Sequence, residues 1–242
     1  MQIIKGKTAK PPRVVVYGPE KIGKTTLAAQ SDRPIVVQTE EGADDVGVDR
    51  FPLATSLADV QTAIGDIDPA TYGTVVIDSL DWLERLIHDD VAKAAGVRDI
   101  EGIGYGKGYA QAVSYWRDIL GALDSLRAQG MAIVLIAHSE IKRYDDPSTE
   151  PYDRYQLKLH KSASAIVTEW CDALLFACLE TKVTSTDAGF NKEVRRGIST
   201  GRRVLRTQGA PAWVAGNRYG LPPTIDLSWD ALATALSDCM TK

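Results

Sequence analysis

The sequence has few cysteines, no long apolar run and no large excess of charge of either sign. Its three cysteines, Cys171, Cys178 and Cys239, are odd in number and lack metal-ligand spacing, which argues against a disulfide framework or a zinc site. No segment approaches the roughly 20 apolar residues of a membrane span, and residues 1–12 have no apolar stretch of signal-peptide length. A formal net charge of −4 argues against a uniformly basic nucleic-acid coat. We therefore expect a cytoplasmic protein with no membrane partner.

One stretch carries a clear chemical signal. A short apolar strand, Arg13–Tyr17, leads into a glycine-bounded loop and the first turn of a helix. The loop matches the Walker A pattern of two glycines, a lysine and a hydroxyl residue at fixed spacing. Gly18 and Gly23 let the backbone curl so that its N–H groups point at phosphate oxygens, and the dipole of the following helix adds to this attraction. The predicted nucleotide-binding residues are Gly18, Pro19, Glu20, Lys21, Ile22, Gly23, Lys24, Thr25 and Thr26.

Two residues of this loop have specific roles in binding a nucleoside triphosphate. Lys24 would reach the β- and γ-phosphates as a point charge, and Thr25 would place its hydroxyl on Mg²⁺. The alternative is a surface turn that matches the pattern by chance, and the strand before it and the helix after it argue against that. The sequence therefore predicts ATP and Mg²⁺ as ligands, with Lys24 also taking part in catalysis.

Apolar runs and helical periodicity alternate along the rest of the chain. The predicted strands cover 13–17, 35–39, 74–79, 131–137 and 171–179, and the predicted helices cover 23–30, 56–64, 80–95, 109–129, 162–169 and 228–240. This order predicts an α/β fold, a doubly wound and mainly parallel sheet with a C-terminal antiparallel hairpin extension. We expect residues 1–12 to form a short N-terminal arm and residues 13–242 a single domain.

Three segments are predicted to be loops or turns. The stretch 102–108 is rich in glycine and has low backbone restraint. Residues 140–160 are polar, mixed in charge and without periodicity, which predicts a long loop. Turns at Asp187–Gly189 and Thr200–Gly201 are expected to join antiparallel strands between residues 180 and 207.

A carboxylate follows the third predicted strand, at the edge where open α/β sheets bind ligands. Asp78 comes directly after Val75–Ile77 and would hold Mg²⁺ through water, the Walker B role, while Ser79 could orient that water. The alternative is an aspartate that caps the helix starting at Leu80, and the two roles are compatible.

Two acids follow the strand that comes after the Walker A helix. Glu40 could reach a water in line with the γ-phosphate and polarise it as a general base. Glu41 is one residue further along and points elsewhere if the backbone is extended, so we prefer Glu40. The alternative is that both are solvated loop acids.

His138 ends the fourth predicted strand, next to the expected position of the γ-phosphate. A polar residue there can sense whether the phosphate is present and pass the signal to the segment that follows. We therefore include it among the catalytic candidates. The alternative is a core histidine whose hydrogen bonds are satisfied within the fold.

Basic residues are concentrated late in the chain. Between residues 182 and 218 there are eight of them against two acids, an excess that suits a nucleic-acid backbone or a neighbour's ATP. Solvated strand faces are the alternative. Tyr105 and Tyr109 could stack on bases of single-stranded DNA. The eight basic residues are Lys182, Lys192, Arg195, Arg196, Arg202, Arg203, Arg206 and Arg218.

The order of these parts resembles RecA/Rad-type recombinases. Gln38–Gly42 resembles the Asp-Thr-Glu-Gly strand end of those proteins, Val75–Ser79 resembles their Walker B motif, and His138 stands in place of their sensor glutamine. The segments 102–108 and 140–160 lie where those proteins keep two mobile DNA-binding loops. More narrowly, the chain resembles small phage-encoded AAA-type ATPases with a RecA-like core, associated with single-strand annealing and recombination, through residues 77–80, 106–109 and 217–222.

This resemblance implies Mg²⁺-dependent ATP hydrolysis coupled to single-stranded DNA binding, in phage recombination or replication in the host cytoplasm. It implies a RecA-like ATPase domain, homo-oligomers in the form of filaments or rings, and a single-strand-binding or other recombination protein as a further partner. In such assemblies a neighbouring subunit supplies Lys or Arg to the γ-phosphate. The candidates for that role here are Arg202, Arg203, Arg206 and Arg218.

Other functions stay open on the sequence. A nucleotide-switched assembly or loading module would bind ATP to recruit a partner, with little turnover. A small-molecule P-loop kinase is less favoured, because such kinases carry an arginine-rich lid and the lid-like segment here is a predicted hairpin. A GTPase is disfavoured because the sequence has no Asn-Lys-x-Asp stretch.

Overall fold

A mixed sheet runs through the centre of the molecule. The computed structural model describes residues 3, 6, 10–187 and 193–240. The strands in this part of the chain are β1 (Arg13–Gly18), β2 (Pro34–Gln38), β3 (Asp49–Arg50), β4 (Thr74–Asp78), β5 (Ala132–Tyr144), β6 (Tyr152–Leu157), β7 (Ala173–Asp187), β8 (Glu193–Arg206), β9 (Gly216–Asn217) and β10 (Thr224–Asp226). Their order is β10-β8-β7-β1-β5-β4-β2-β3, with β6 beside β5 and β9 beside β7.

The central strands are parallel and covered on both faces. All neighbours from β3 to β7 run parallel, whereas β8 and β10 are antiparallel additions at one edge. Val14–Tyr17 are buried without alternation, as expected for a parallel strand between two layers of helices. The predicted doubly wound, mainly parallel sheet with a C-terminal antiparallel hairpin is therefore confirmed.

Helices form a layer on each face of the sheet. The larger core joins one face to α2–α5, and the opposite face packs on α1 and α6. None of the helices in the described part of the chain is long and apolar enough to cross a bilayer. The helices are α1 (Lys24–Ala29), α2 (Leu57–Gly65), α3 (Leu80–Ala94), α4 (Lys107–Ala128), α5 (Lys161–Trp170) and α6 (Trp229–Met240).

The prediction of a long loop over residues 140–160 is wrong. β5 continues to Tyr144 and pairs with β6 in antiparallel register, so this segment is a hairpin. Cross-strand contacts hold it together, since the Tyr144 and Tyr152 rings meet at 5.7 Å and the Arg154 guanidinium lies 3.5 Å over the Tyr144 ring. The ribbon is mostly outside the core, and its stability comes from pairs of polar and aromatic side chains, which leave no apolar alternation in the sequence.

A second hairpin is formed by β7 and β8, and the predicted turn at Thr200–Gly201 is wrong. Both residues lie inside β8, where Gly201 has a φ of 76°. On the facing strand the register shifts between Leu179 and Thr181. A glycine with positive φ beside a register shift indicates a bulge in a continuing ladder, which uses the same residue types as a turn. The other predicted turn, 187–189, extends outside the described residues.

The glycine-rich stretch 102–108 is only partly a loop. A 3-10 helix covers Ile100–Ile103, and α4 begins at Lys107, two residues before its predicted start. Gly104 and Gly106 both have positive φ and shape the short connection between the two helices.

Gly18 is required for a reason that the sequence does not show. It is the last residue of β1, and a Cβ at this position would overlap the carbonyl oxygen of Ala177 on the neighbouring strand β7. The backbones of two paired strands cannot separate without loss of their hydrogen bonds. Close approach of β7 therefore excludes a side chain here, whereas Gly23 serves the curled loop with a φ of 108°.

Gly18→Ala is expected to lower the free energy of unfolding by about 1–3 kcal/mol, the usual cost of overpacking. Gly121→Ala is the matched control, because a Cβ on this exposed α4 residue meets no atom within 4 Å. Replacing glycine inside a helix stabilises by about 0.5–1 kcal/mol. Urea unfolding of both variants measures the difference, and equal stabilities would contradict the proposed overlap.

Candidate functional site

A cavity of about 670 Å³ lies at the carboxyl ends of the parallel strands. Parallel register brings its parts together, since Gly18 of β1 is opposite His138 of β5, and Gln38 of β2 is opposite Asp78 of β4. All five residues predicted for catalysis or metal binding line this cavity. Its full lining is Glu20, Lys21, Gly23, Lys24, Thr25, Thr26, Glu40, Glu41, Gly42, Val46, Asp78, Trp82, Arg85, His138, Lys158 and Arg203.

The Walker A loop is held in a curled form by its own lysine. Lys24 is buried, and its Nζ donates hydrogen bonds to the carbonyl oxygens of Gly18 and Pro19, at 3.0 and 2.9 Å. Burial lowers the pKa of Lys24, against the opposing charges of Asp78 and Glu40. Pro19 and Ile22, which were also predicted to bind nucleotide, face a second cavity on the other side of the loop.

Thr25 and Asp78 form a pair at the base of the cavity. The Thr25 hydroxyl donates a 2.6 Å hydrogen bond to Asp78 Oδ2. Burial raises the pKa of Asp78, while the hydrogen bond from Thr25 and the charge of Lys24 oppose that rise. Asp78 is not the cap of α3, because Ser79 takes the N-cap position.

The residues around this pair fit a hydrated Mg²⁺ ion. A hydroxyl and a carboxylate are the hard oxygen ligands that Mg²⁺ prefers, usually one or two per site with waters completing the shell. The buried Ser79 Oγ has no hydrogen-bond partner in the described part of the chain, although a buried hydroxyl usually has one. A metal-bound water would satisfy it.

Glu40 and His138 meet in the same cavity. Glu40 lies two residues beyond β2, and its Oε1 is 3.8 Å from His138 Nε2. Burial raises the pKa of Glu40, and the nearby His138 partly offsets the effect. Glu41 is exposed but also lines the cavity, so the geometry keeps both acids within reach of a ligand and favours the more enclosed Glu40.

His138 is held from behind by an acid that the sequence reasoning missed. Asp81 is buried, and its two carboxylate oxygens lie 3.1 and 3.0 Å from His138 Nδ1. The hydrogen bond to Asp81 raises the pKa of His138, although burial opposes it. The signal for Asp81 is its place in the first turn of the helix after the Walker B strand, which puts it at the same sheet edge as Asp78.

A model of the AAA domain family matches residues 10–219. The chain belongs to the AAA domain family. No curated protein matches it. AAA-type P-loop ATPases generally bind ATP with Mg²⁺, and the cavity described above lies entirely within the matched part of this AAA domain.

Four further residues line the cavity of the AAA domain, although none of them was predicted to act at the nucleotide site of its own chain. Arg203 reaches across from β8, with its Nη1 only 3.4 Å from where a Cβ of Gly23 would lie. Trp82 and Arg85 lie on α3, with the guanidinium 4.1 Å from the ring centre, and Lys158 follows β6. None of these elements adjoins the Walker A loop in sequence, so only the fold brings them there.

The other arginines proposed for a neighbouring site have partners within the chain. Arg202 binds Asp226 at 2.6 Å, and Arg206 donates to Thr224 at 2.7 Å. Arg218 joins the ion-pair group around the buried Asp172. Lys192 lies outside the described residues, as do the side chains of Lys182, Arg195 and Arg196.

The two tyrosines near the glycine-rich stretch differ in their surroundings. Tyr105 is fully exposed at the connection before α4. Tyr109 instead packs face to face with His160, with 4.1 Å between ring centres, and edge-on to His88. Its ring is therefore occupied within the fold, and Tyr105 alone keeps a free face for stacking.

The ionisable groups of the AAA domain cavity predict a bell-shaped dependence of ATP hydrolysis on pH. His138 is faced by Asp81, Glu40, Lys24 and Asp78. If the reaction needs ionised Glu40 and protonated His138, the raised pKa of Glu40 moves the acid limb of the pH profile to a higher pH than an ordinary glutamate would give. The raised pKa of His138 keeps activity past the ordinary histidine range before it falls at higher pH.

The measurement is kcat/KM for ATP as a function of pH, because this dependence reports the pKa values of the essential acid and base in the free enzyme. Lys24→Ala serves as the background control at each pH. A profile with no alkaline limb before the protein unfolds would contradict the role of a protonated His138.

Proposed function

We propose that this AAA domain is a Mg²⁺-dependent ATPase of RecA-like type that couples ATP hydrolysis to the binding of single-stranded DNA. One observation carries the proposal: the side chains of Lys24, Thr25, Asp78, Glu40 and His138 converge on a single cavity, although they come from four separate parts of the chain. Phosphate binding, metal binding and water activation each need one or two of these groups.

The residues divide the reaction between them. Lys24 and the backbone N–H groups of residues 20–24 would hold the β- and γ-phosphates, and Thr25 and Asp78 would hold Mg²⁺, which when bound neutralises the charge on these phosphates. Glu40 takes a proton from a water whose oxygen attacks the γ-phosphorus. The bond to the β-phosphate oxygen breaks, and ADP leaves with the electron pair. His138 provides a positive charge beside Glu40 and the γ-phosphate.

The DNA part of the proposal is supported by the β5–β6 hairpin and by the connection before α4. The β5–β6 hairpin begins directly after His138, so any movement at the γ-phosphate acts at its base. Arg143 on this hairpin is exposed, and the fully exposed Tyr105 offers a stacking surface. The resemblance to phage recombination ATPases supports a role in phage recombination or replication.

An assembled state is also proposed. Trp82 is a large side chain, 39 % exposed, at the mouth of the cavity, and Ile141 and Leu179 are exposed at 59 % and 45 % on the two hairpins. Large exposed apolar side chains are common at protein interfaces. They support a filament or ring in which a second subunit covers the cavity mouth.

A second function is favoured by one specific contact. Glu40 faces His138 at 3.8 Å, and a protonated histidine makes the carboxylate a weaker base. A chain with this pair would hold ATP with little turnover and act as a nucleotide-switched assembly or loading module.

The deciding experiment measures ATP turnover and particle size with and without single-stranded DNA at low salt, with Lys24→Ala as control. We expect turnover to rise with DNA and to be lost in Lys24→Ala, because the variant cannot hold the phosphates. Tight ATP binding with nucleotide-dependent assembly, no turnover and no DNA binding would favour the loading module. Turnover that is unaffected by DNA would remove the DNA part of the proposal.

Glu40→Gln is expected to keep ATP affinity and to lower kcat by about 10²-fold or more, the usual contribution of a general base. The amide has the shape of the carboxylate but cannot take the proton. Glu41→Gln is the matched control, and it should lower kcat by no more than about 3-fold, well below the general-base effect. The reverse result would assign the water-activating role to Glu41.

A further inference from the structure

Asp81 contacts both the backbone and the ring of one residue, His138. It lies in the first turn of α3, and its side chain is only 4 % exposed. Its Oδ1 accepts a 3.0 Å hydrogen bond from the backbone N–H of His138, and both oxygens lie close to the Nδ1 of the same residue. A carboxylate used in this way fixes both the backbone and the ring of its partner.

The contact decides which way the imidazole faces. A carboxylate at Nδ1 requires a proton there, so the other ring nitrogen, Nε2, is the one that points into the cavity. Nε2 faces Glu40 at 3.8 Å. The ring therefore lies between two carboxylates, an arrangement that stabilises its positively charged form.

We infer that Asp81 is a positioning residue for ATP hydrolysis, which holds His138 with a charged Nε2–H directed at Glu40 and the γ-phosphate end of the cavity. The inference rests on the proposed function, since it takes His138 as part of the site. Asp81 itself does not line the cavity and acts through the histidine.

The contacts with His138 are the main compensation for the burial of Asp81. It does not cap α3, where Ser79 is the N-cap and makes no side-chain cap bond. A buried carboxylate is costly unless it is paired and hydrogen-bonded. Although burial would raise it, the hydrogen bonds from His138 hold the pKa of Asp81 below its usual value.

The test compares Asp81→Asn, His138→Ala and the double variant, with Asp89→Asn as the control. Asp89 is an exposed carboxylate on the same helix, so its replacement makes the same change in charge and shape. Asp81→Asn keeps an oxygen for the His138 backbone N–H but cannot stabilise the ring cation. We expect kcat to fall roughly 10- to 100-fold, with KM for ATP changed less than about 3-fold, and Asp89→Asn to match the wild type.

The double variant separates positioning from general stability. If Asp81 acts through His138, adding Asp81→Asn to His138→Ala lowers kcat by no more than about 3-fold, because the two changes remove one interaction. Independent, multiplicative losses would overturn the inference. So would a wild-type kcat in Asp81→Asn with activity abolished in Lys24→Ala, and that result would leave the proposed function intact.

A second readout does not depend on turnover. The chain has only three histidines, so the ring of His138 is identified by NMR as the imidazole signal missing in His138→Ala. We expect its titration midpoint to move to lower pH in Asp81→Asn and to stay in place in Asp89→Asn. An unchanged midpoint in Asp81→Asn would overturn the inference. If wild type and Lys24→Ala hydrolysed ATP equally, the proposed function would fail while this measurement still decided the Asp81–His138 contact.

Discussion

The parallel register of β1, β4 and β5 is the constraint on which the candidate site depends. It sets Gly18 opposite His138 and Asp78 opposite Ile136, so that the residues after each strand meet at one edge. A shift of one residue in either pairing would turn every side chain to the other face of the sheet. The register is specified by burial on both faces, because Val14–Tyr17 and the strands beside them have no exposed side to slip towards.

Having assembled charged groups at that edge, the fold has to keep them paired. Lys24, Asp78 and Asp81 are all buried, and an isolated buried charge would destabilise the protein by several kcal/mol. Each has a partner instead: the loop carbonyls for Lys24, the Thr25 hydroxyl for Asp78 and the His138 ring for Asp81. Phosphate and metal binding would exchange some of these partners for others.

What could be predicted from the sequence follows from how local each signal is. The starts of β1, β2, β4, β5 and β7 are specified by neighbouring residues and lie within two positions of the predicted starts, whereas β5 and β7 extend well beyond their predicted ends. The β5–β6 hairpin was missed because its contacts run across strands, as Arg154 over Tyr144 shows. Asp81 was missed, and Arg203 was predicted for a neighbour's site and not for this cavity, because only the folded sheet brings these positions on α3 and β8 to the site.

One helix links the cavity to the β5–β6 hairpin. Asp81 on α3 holds His138, just before the exposed part of the hairpin, and Glu84, one turn later, accepts the backbone N–H of His160, just after it. Both ends of the hairpin are therefore tied to the same helix face. Since α3 begins directly after Asp78 and Ser79, the helix also adjoins the strand end that carries Asp78. The hairpin and the cavity thus share a support in α3, which lies well before the hairpin in sequence.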